Sequence, residues 1–175
     1  MAFHPSGLHL IIALQDKMVW CNVLSHQIAV FRTIMFKGCN EIQFAHGGHL
    51  FACVVSEKYV YVYNFYTGVN TERFQFHGHQ SKIMCIDWFH NDMGFSTCGQ
   101  DGNVYFYELY NAEGNAPRIL RDHEFSKRDV KFTSVVNLNI SGKKNQFLAV
   151  GSEKVIFTET DEIKVLPRTF DASAH

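Results

Sequence analysis

Proline is scarce, with three residues among 175, and charge of either sign is thin: charged residues make up 19% and the formal net charge is -1. A chain that is 46% hydrophobic with so little charge is not a disordered tail. The 16 basic residues against 17 acidic ones leave no global electrostatic footprint for nucleic acid or for an anionic membrane. No long apolar run is present, and the most apolar stretch, residues 8–14, is far too short to cross a bilayer. Neither a basic segment nor a long apolar one follows Met1, so no secretory signal is expected. The five cysteines, Cys21, Cys39, Cys53, Cys85 and Cys98, form no C-x-x-C pair and are odd in number. That usage fits a reduced, cytosolic compartment. A phosphate-binding loop is missing too, because Gly47-Gly48 lacks the helix and lysine that would follow it.

Aromatic residues are what the chain has in quantity, with sixteen phenylalanines and seven tyrosines, and they favour strands. They also recur. Phe3 opens Phe-His-Pro-Ser-Gly, Phe44 opens Phe-Ala-His-Gly-Gly and Trp88 opens Trp-Phe-His-Asn-Asp, at intervals of 41 and 44 residues. A fourth copy falls at Asn139, in Asn-Ile-Ser-Gly-Lys, after a longer interval of 51. A period of roughly 40–45 residues is that of a four-stranded propeller blade. In each copy a short strand ends at the aromatic and a turn follows. An apolar strand comes next, at 8–14, 49–55, 94–98 or 146–151. A second turn leads to a third strand, at 17–23, 58–64, 104–109 or 154–159. A more polar outer strand closes the copy near 29–35, 72–76, 118–120 and 162–166. Blades pack face to face, which accounts for unbroken apolar runs such as Tyr59-Val60-Tyr61-Val62-Tyr63.

One copy carries the fullest signature. His77-Gly78-His79 is followed by Gly99-Gln100-Asp101-Gly102 and then by Val104-Tyr105-Phe106-Tyr107-Glu108-Leu109. Gly-His, then about twenty residues, then Asp-Gly and an apolar strand is the pattern of a WD-type blade. The predicted class is therefore all-β, a partial WD40-type β-propeller of about four blades, each with four antiparallel strands. It fills one domain, 1–175, with blades at about 1–36, 37–76, 77–121 and 128–167 and a tail at 168–175. Four blades leave two unpaired blade faces. The chain is expected to be a portion of a larger propeller, whose remaining blades come from the same polypeptide or another.

The candidate chemistry reduces to structure. His79 and Asp101 stand 22 residues apart, a spacing that suits a histidine bonded to the Asp-Gly turn. With Gly102 and Tyr107 they are expected to form the blade's structural network, Asp101 accepting from backbone amides and from His79. The His77-x-His79 pair lacks the two further ligands zinc would need, so no metal or cofactor is expected. The cysteines sit in apolar strands or beside glycine, with no motif pairing them to a base, and read as small core residues. The Gln15, Glu57 and Ser152 positions stand where Asp101 does in the other copies, so the network is predicted in one blade alone. Catalysis is not expected. Candidate partner-binding residues are Phe65 and Tyr66, just past an aromatic strand and predicted to be exposed, and the basic pairs Lys127-Arg128 and Lys143-Lys144. The loop holding Lys127 suits an acidic partner such as the surface of tubulin.

A family resemblance rests on Phe3-His4-Pro5-Ser6-Gly7-Leu8-His9, Asp16-Lys17, Gly38-Cys39-Asn40-Glu41, Phe44-Ala45-His46-Gly47-Gly48-His49-Leu50-Phe51-Ala52, Gly78-His79 and Cys98-Gly99-Gln100-Asp101-Gly102. These resemble the WD-repeat region of the cilia- and flagella-associated protein fifty-seven family, over about residues 3–109. The segment 38–52 is the most specific. The resemblance implies a non-enzymatic scaffold of the cytoplasmic cytoskeleton, in the axoneme of a cilium or flagellum. It would organise dynein-associated complexes on doublet microtubules. Implied partners are inner dynein arm, regulatory or radial-spoke-associated components and tubulin, with no nucleic acid and no membrane insertion. In that family a long coiled coil follows the propellers; this sequence has no heptad segment, and the match fades past Tyr110. The propeller pattern taken alone equally suits an adaptor of a soluble cytosolic complex in ubiquitin ligation, trafficking or RNA processing.

Overall fold

The computed structural model describes residues 1–68, 70–76, 78–109, 119–124, 131–138, 146–151, 154–159 and 162–167, with the strand course alone in 70–75, 119–124, 154–159 and 162–167. Among these residues the chain forms strands and no helix. The first sheet holds β1 (Ala2–Phe3), β2 (His9–Ala13), β3 (Lys17–Val23) and β4 (Ile28–Met35). The second holds β5 (Cys39–Phe44), β6 (Leu50–Val55), β7 (Tyr59–Asn64) and β8 (Asn70–Phe76). The third holds β9 (Ile83–Trp88), β10 (Gly94–Gly99), β11 (Asn103–Glu108) and β12 (Ile119–Glu124). The fourth holds β13 (Phe132–Leu138), β14 (Gln146–Gly151), β15 (Lys154–Glu159) and β16 (Glu162–Pro167).

Every sheet is an antiparallel meander in chain order, each strand pairing with the next along the chain. The repeating aromatics set a common register: Phe3 pairs with Leu10, Phe44 with Phe51 and Trp88 with Phe95. The first strands lie side by side, β1 along β5, β5 along β9 and β9 along β13. The sheets therefore fan out around their first strands and pack face on face. The turn expected at Asn139 lies outside the described residues.

The core sits between the sheets. Ile11, Met18 and Trp20 of the first pack on Phe44, Phe51 and Tyr63 of the second. Ala52, Val54, Val60 and Val62 of the second receive Trp88, Phe95 and Tyr107 of the third. Cys98, Val104 and Phe106 of the third meet Phe147 and Ala149 of the fourth. Small residues on one face take the bulky ones of the next, so both faces of a middle sheet are dry and strict alternation is lost. Trp88 is fully buried, and its indole N–H donates to the Gln43 carbonyl of the preceding sheet at 3.0 Å. Replacing Trp88 with phenylalanine is expected to cost about 1–2 kcal/mol, the loss of that bond plus a small void. Urea titration checks it; an unchanged midpoint would show that the Gln43 carbonyl finds another donor.

The outward face of the first sheet is different. Leu10, Val19 and Cys21 are buried there in a cluster with Ile12 and Val23 that no residue of another described sheet joins. The same rows continue onto β4, where Val30 is 58% and Met35 71% exposed.

Candidate functional site

The polar centre of the third sheet is built on the β10–β11 turn. Gly102 takes φ +76, the left-handed conformation glycine adopts freely, and its N–H bonds the Gly99 carbonyl at 3.3 Å. That turn aims Asp101 at the loop entering β9. The Asp101 carboxylate accepts from the amides of Gln80 at 2.8 Å and Asn103 at 3.2 Å. His79 Nδ1 lies 3.0 Å from both of its oxygens and donates to them. His79 Nε2 is 2.8 Å from the Thr97 hydroxyl, which therefore donates to it. Thr97 in turn is hydrogen-bonded to the Tyr107 hydroxyl. The Tyr105 ring stands edge-on to His79, with 4.6 Å between centroids, and its hydroxyl donates to the Gly78 carbonyl at 3.3 Å.

Burial alone would push the Asp101 carboxyl up, but the hydrogen bond from His79, with those of the two amides, outweighs it and holds the group below its ordinary range. Burial pushes the Tyr107 hydroxyl up. His79, Asp101 and Thr97 each have hydrogen-bond partners within this chain of bonds. Sequence reasoning missed Thr97. The signal was a Ser96-Thr97 pair inside a wholly buried strand, where a hydroxyl needs a partner. The second sheet has Cys53 at the register of Thr97 and brings Phe36 against Tyr61 and Tyr63, so rings replace the hydrogen-bonded chain.

A second set of contacts joins turns of neighbouring sheets. His4, in the β1–β2 turn, donates from Nε2 to the Gly48 carbonyl at 3.1 Å and accepts the Ser6 amide on Nδ1. Asp92, in the β9–β10 turn, accepts from the amides of His46 at 2.7 Å and Gly47 at 2.6 Å, and from His46 Nδ1 at 3.1 Å. The β5–β6 turn is thus held from both sides. Further inward, the Asn137 amide donates to Asp87 Oδ2 at 2.6 Å, linking the third sheet to the fourth. Burial raises the Asp87 carboxyl, and the Asn137 donors only partly oppose this.

His4 is pulled down by burial, with the Gly48 bond opposing and His9 adding to the fall. Protonating Nδ1 would also expel the Ser6 amide. A histidine depressed on folding contributes stability that is full above its unfolded value of about 6.5 and is lost as pH falls through its folded one. Stability is therefore expected to decline on acidification from pH 6.5. In the His4→Gln variant that slope should flatten, as read by thermal melts across pH; an identical slope would assign it to another group.

Of the candidate contact residues, Tyr66 is 62% exposed. Phe65 corrects the expectation of exposure, since it is only 3% exposed. Its ring is enclosed by Phe44 of its own sheet and by His4 and His9 of the first sheet. Lys127, Arg128, Lys143, Lys144 and His77 lie outside the described residues. Cys21, Cys53 and Cys98 are buried, and Cys39 and Cys85 half-buried. The Cys53 thiol draws the Cys39 thiol down, while burial pushes Cys53, Cys85 and Cys98 up. No histidine base is bonded to any of these thiols among the described residues. A cavity of about 400 Å³ opens between β1 and β5, lined by Met1, Phe3, Glu41, Gln43, Phe44 and His46. Burial raises Glu41 there, against the N-terminal ammonium. Among the described residues no cluster of three His, Cys, Asp or Glu could hold a metal ion, and no helix is long and apolar enough to cross a membrane.

Four-stranded sheets fanned about their first strands, with one His–Asp–Thr–Tyr chain spanning a sheet, define a WD-repeat β-propeller protein. The WD domain, G-beta repeat family matches residues 70–108. That unit runs from β8 through β11, so the repeat straddles two sheets. The β-propeller domain of Myceliophteria thermophila Cps50 (Swd1) has the same fold. It superposes with a TM-score of 0.64 at 17% identity, covering 79% of this chain and 42% of that one. In sequence the chain resembles cilia- and flagella-associated protein 57. It is 33% identical to the A form from Tetrahymena thermophila over 157 residues, 90% of this chain and 11% of the relative. It is 29% identical to the C form from the same organism, over 89% of this chain and 12% of the relative. It is 28% identical to the Mus musculus protein, over 93% and 12%. The chain therefore spans about a tenth of the length of these curated relatives.

Proposed function

We propose that this chain is a section of a non-enzymatic propeller scaffold in the axoneme of cilia or flagella, where it helps organise dynein-associated complexes on doublet microtubules. The observation that supports this is 28–33% identity to proteins named for cilia and flagella, sustained over about nine-tenths of the chain. The site chemistry agrees with it. The polar residues of the third sheet are spent on one another, which suits a rigid frame better than a reaction centre. Partners of this scaffold are inner dynein arm, regulatory and radial-spoke-associated proteins, with tubulin for the basic pairs.

A further partner is another blade. In the second and third sheets, the face bearing Phe51 and Tyr63, or Phe95 and Tyr107, is covered by the preceding sheet. The same register positions in the first sheet are Leu10 and Cys21, which are buried in a cluster that no residue of another described sheet joins. A blade from the same polypeptide or another completes the packing there. The scaffold reading is tested by fractionating cilia that carry the tagged protein. It should stay with doublet microtubules after detergent extraction. Release with the soluble matrix would reject the axonemal assignment and favour an adaptor of a soluble complex.

A further inference from the structure

Four of the cysteines form two cross-strand pairs, and the pairs are built differently. In the second sheet Cys53 of β6 stands opposite Ile42, while Cys39 of β5 stands opposite Val55, two residues further along the same face. Asn40 is left unpaired beside Cys39 as a β-bulge, which bends β5. Cys39 and Cys53 are therefore diagonal neighbours on one face, and both pack in the cluster that holds Tyr61 and Tyr63. In the third sheet Cys85 and Cys98 stand directly opposite each other.

Orientation and burial separate the two pairs. Cys85 is turned to the fourth sheet, where its Sγ lies 3.7 Å from the Val135 carbonyl and 4.0 Å from the Ser134 hydroxyl. Burial pushes both the Cys85 and the Cys98 thiol up, so neither ionises readily. Cys39 is half-buried at the start of its strand, and Cys53 is fully buried. The Cys53 thiol draws the Cys39 thiol down, whereas burial and then Cys39 push the Cys53 thiol well up. One sulfur of this pair is both reachable and the readier thiolate; the other is buried, protonated and adjacent. An oxidisable thiol beside a resolving partner has this arrangement.

We propose that Cys39 and Cys53 are a peroxide-sensitive pair, in which Cys39 is oxidised first and Cys53 closes the disulfide. The Cys39 thiolate attacks one oxygen of hydrogen peroxide. An S–O bond forms, the O–O bond breaks, and hydroxide leaves with the proton Cys39 had shed, as water. Cys39 gives up two electrons to the peroxide and becomes a sulfenic acid. The Cys53 sulfur then displaces the new hydroxyl group. An S–S bond forms, the S–O bond breaks, and the departing hydroxide takes the Cys53 proton as water. In sum, two thiols and one peroxide give one disulfide and two waters.

A disulfide spans about 4.4–6.8 Å between Cα atoms, and a regular diagonal about 7–8 Å. Closing the bond draws in the end of β5, where Cys39 is the first strand residue and follows Gly38 at φ +76. It makes a covalent loop of the β5–β6 hairpin, whose turn His4 and Asp92 already clamp. In a reducing compartment the bond is transient, formed under peroxide and removed by thiol exchange. The pair needs only an oxidant, and is independent of where the scaffold resides.

The test uses the full polypeptide that carries this section, purified and treated with equimolar hydrogen peroxide. It is then unfolded in N-ethylmaleimide and digested with trypsin. Cleavage at Lys37 and Lys58 releases Cys39 and Cys53 in one peptide, 38–58, and cleavage at Lys82 and Arg118 releases Cys85 and Cys98 in another, 83–118. Peptide 38–58 should be unlabelled and lighter by two hydrogens, and peptide 83–118 doubly labelled. Dithiothreitol before labelling should restore both labels on 38–58. In Cys53→Ser the bridge should be lost and dimedone should capture a sulfenic acid at Cys39. In Cys39→Ser dimedone capture at Cys53 should be lower by about tenfold or more. The wild-type mapping decides the bond without any substitution. Two labels left on 38–58 after peroxide, a bridge within 83–118 that forms first, or equal dimedone capture in the two serine variants would overturn the pair.

Discussion

Replacing Asp101 with alanine is expected to lower the free energy of unfolding by about 3 kcal/mol, and replacing His79 by a similar amount, because each strands a buried partner. The two side chains are 7% and 0% exposed. Without Asp101, the amides of Gln80 and Asn103 and the His79 N–H lose their acceptor together. Without His79, the carboxylate keeps its amides but loses its ring donor, and Thr97 loses an acceptor. The double variant should cost well under the sum, with a coupling energy of roughly 1–3 kcal/mol. Urea unfolding of the four proteins measures it. Additive losses would mean that the two groups act separately, and the chain through Thr97 to Tyr107 would have no energetic content.

Acid supplies an independent arm. Asp101 is held below its ordinary value of 3.8 in the folded state. A carboxyl depressed on folding contributes stability that is present above the unfolded value and is lost as pH falls through the folded one. Wild type and Asp101→Ala should differ fully at neutral pH and converge below the carboxylate range. A constant gap would trace the loss to packing instead of ionisation.

The repeat itself was legible because period and turn chemistry are local properties. Strands predicted at 17–23, 146–151 and 154–159 agree with β3, β14 and β15 residue for residue. Those at 58–64 and 104–109 are displaced by one residue at their ends, where a turn residue and a strand residue look alike. The His79–Asp101 spacing pointed to the right turn, since Gly102 marks it. What crosses from sheet to sheet was not legible. His4 reaches Gly48 and Asp92 reaches His46 over separations of 44 and 46 residues, one repeat away. Periodicity gives that distance along the chain but not which turn atoms meet. Phe65 failed for the same reason: it follows a strand like an exposed turn residue, yet His4 and His9 of the adjacent sheet close over its ring. Thr97 was passed over because a single hydroxyl in a strand carries no spacing signal.

The segment 38–52, the most distinctive part of the sequence, has its physical reason at Gly48. Gly48 takes φ +74, and a Cβ there would fall on the imidazole of His4. That ring cannot withdraw. It donates to the Gly48 carbonyl, accepts the Ser6 amide, and packs 5.2 Å from Phe44 and 4.9 Å from Phe65. Gly48→Ala is therefore expected to cost about 4 kcal/mol, roughly 1–2 for the left-handed backbone and the rest for displacing His4 from a packed interface. Gly7 is the internal control. It has φ +72 but open space around its Cβ position, so Gly7→Ala should cost only the backbone part, about 1–2 kcal/mol. Shortening the obstacle should rescue the fold, so Gly48→Ala combined with His4→Ala should be less damaging than the sum of the two. Denaturant titrations of the four variants decide it. Equal costs at Gly7 and Gly48 would show that the first two sheets meet loosely at this turn, and that the His-Gly-Gly-His segment is held by backbone conformation alone.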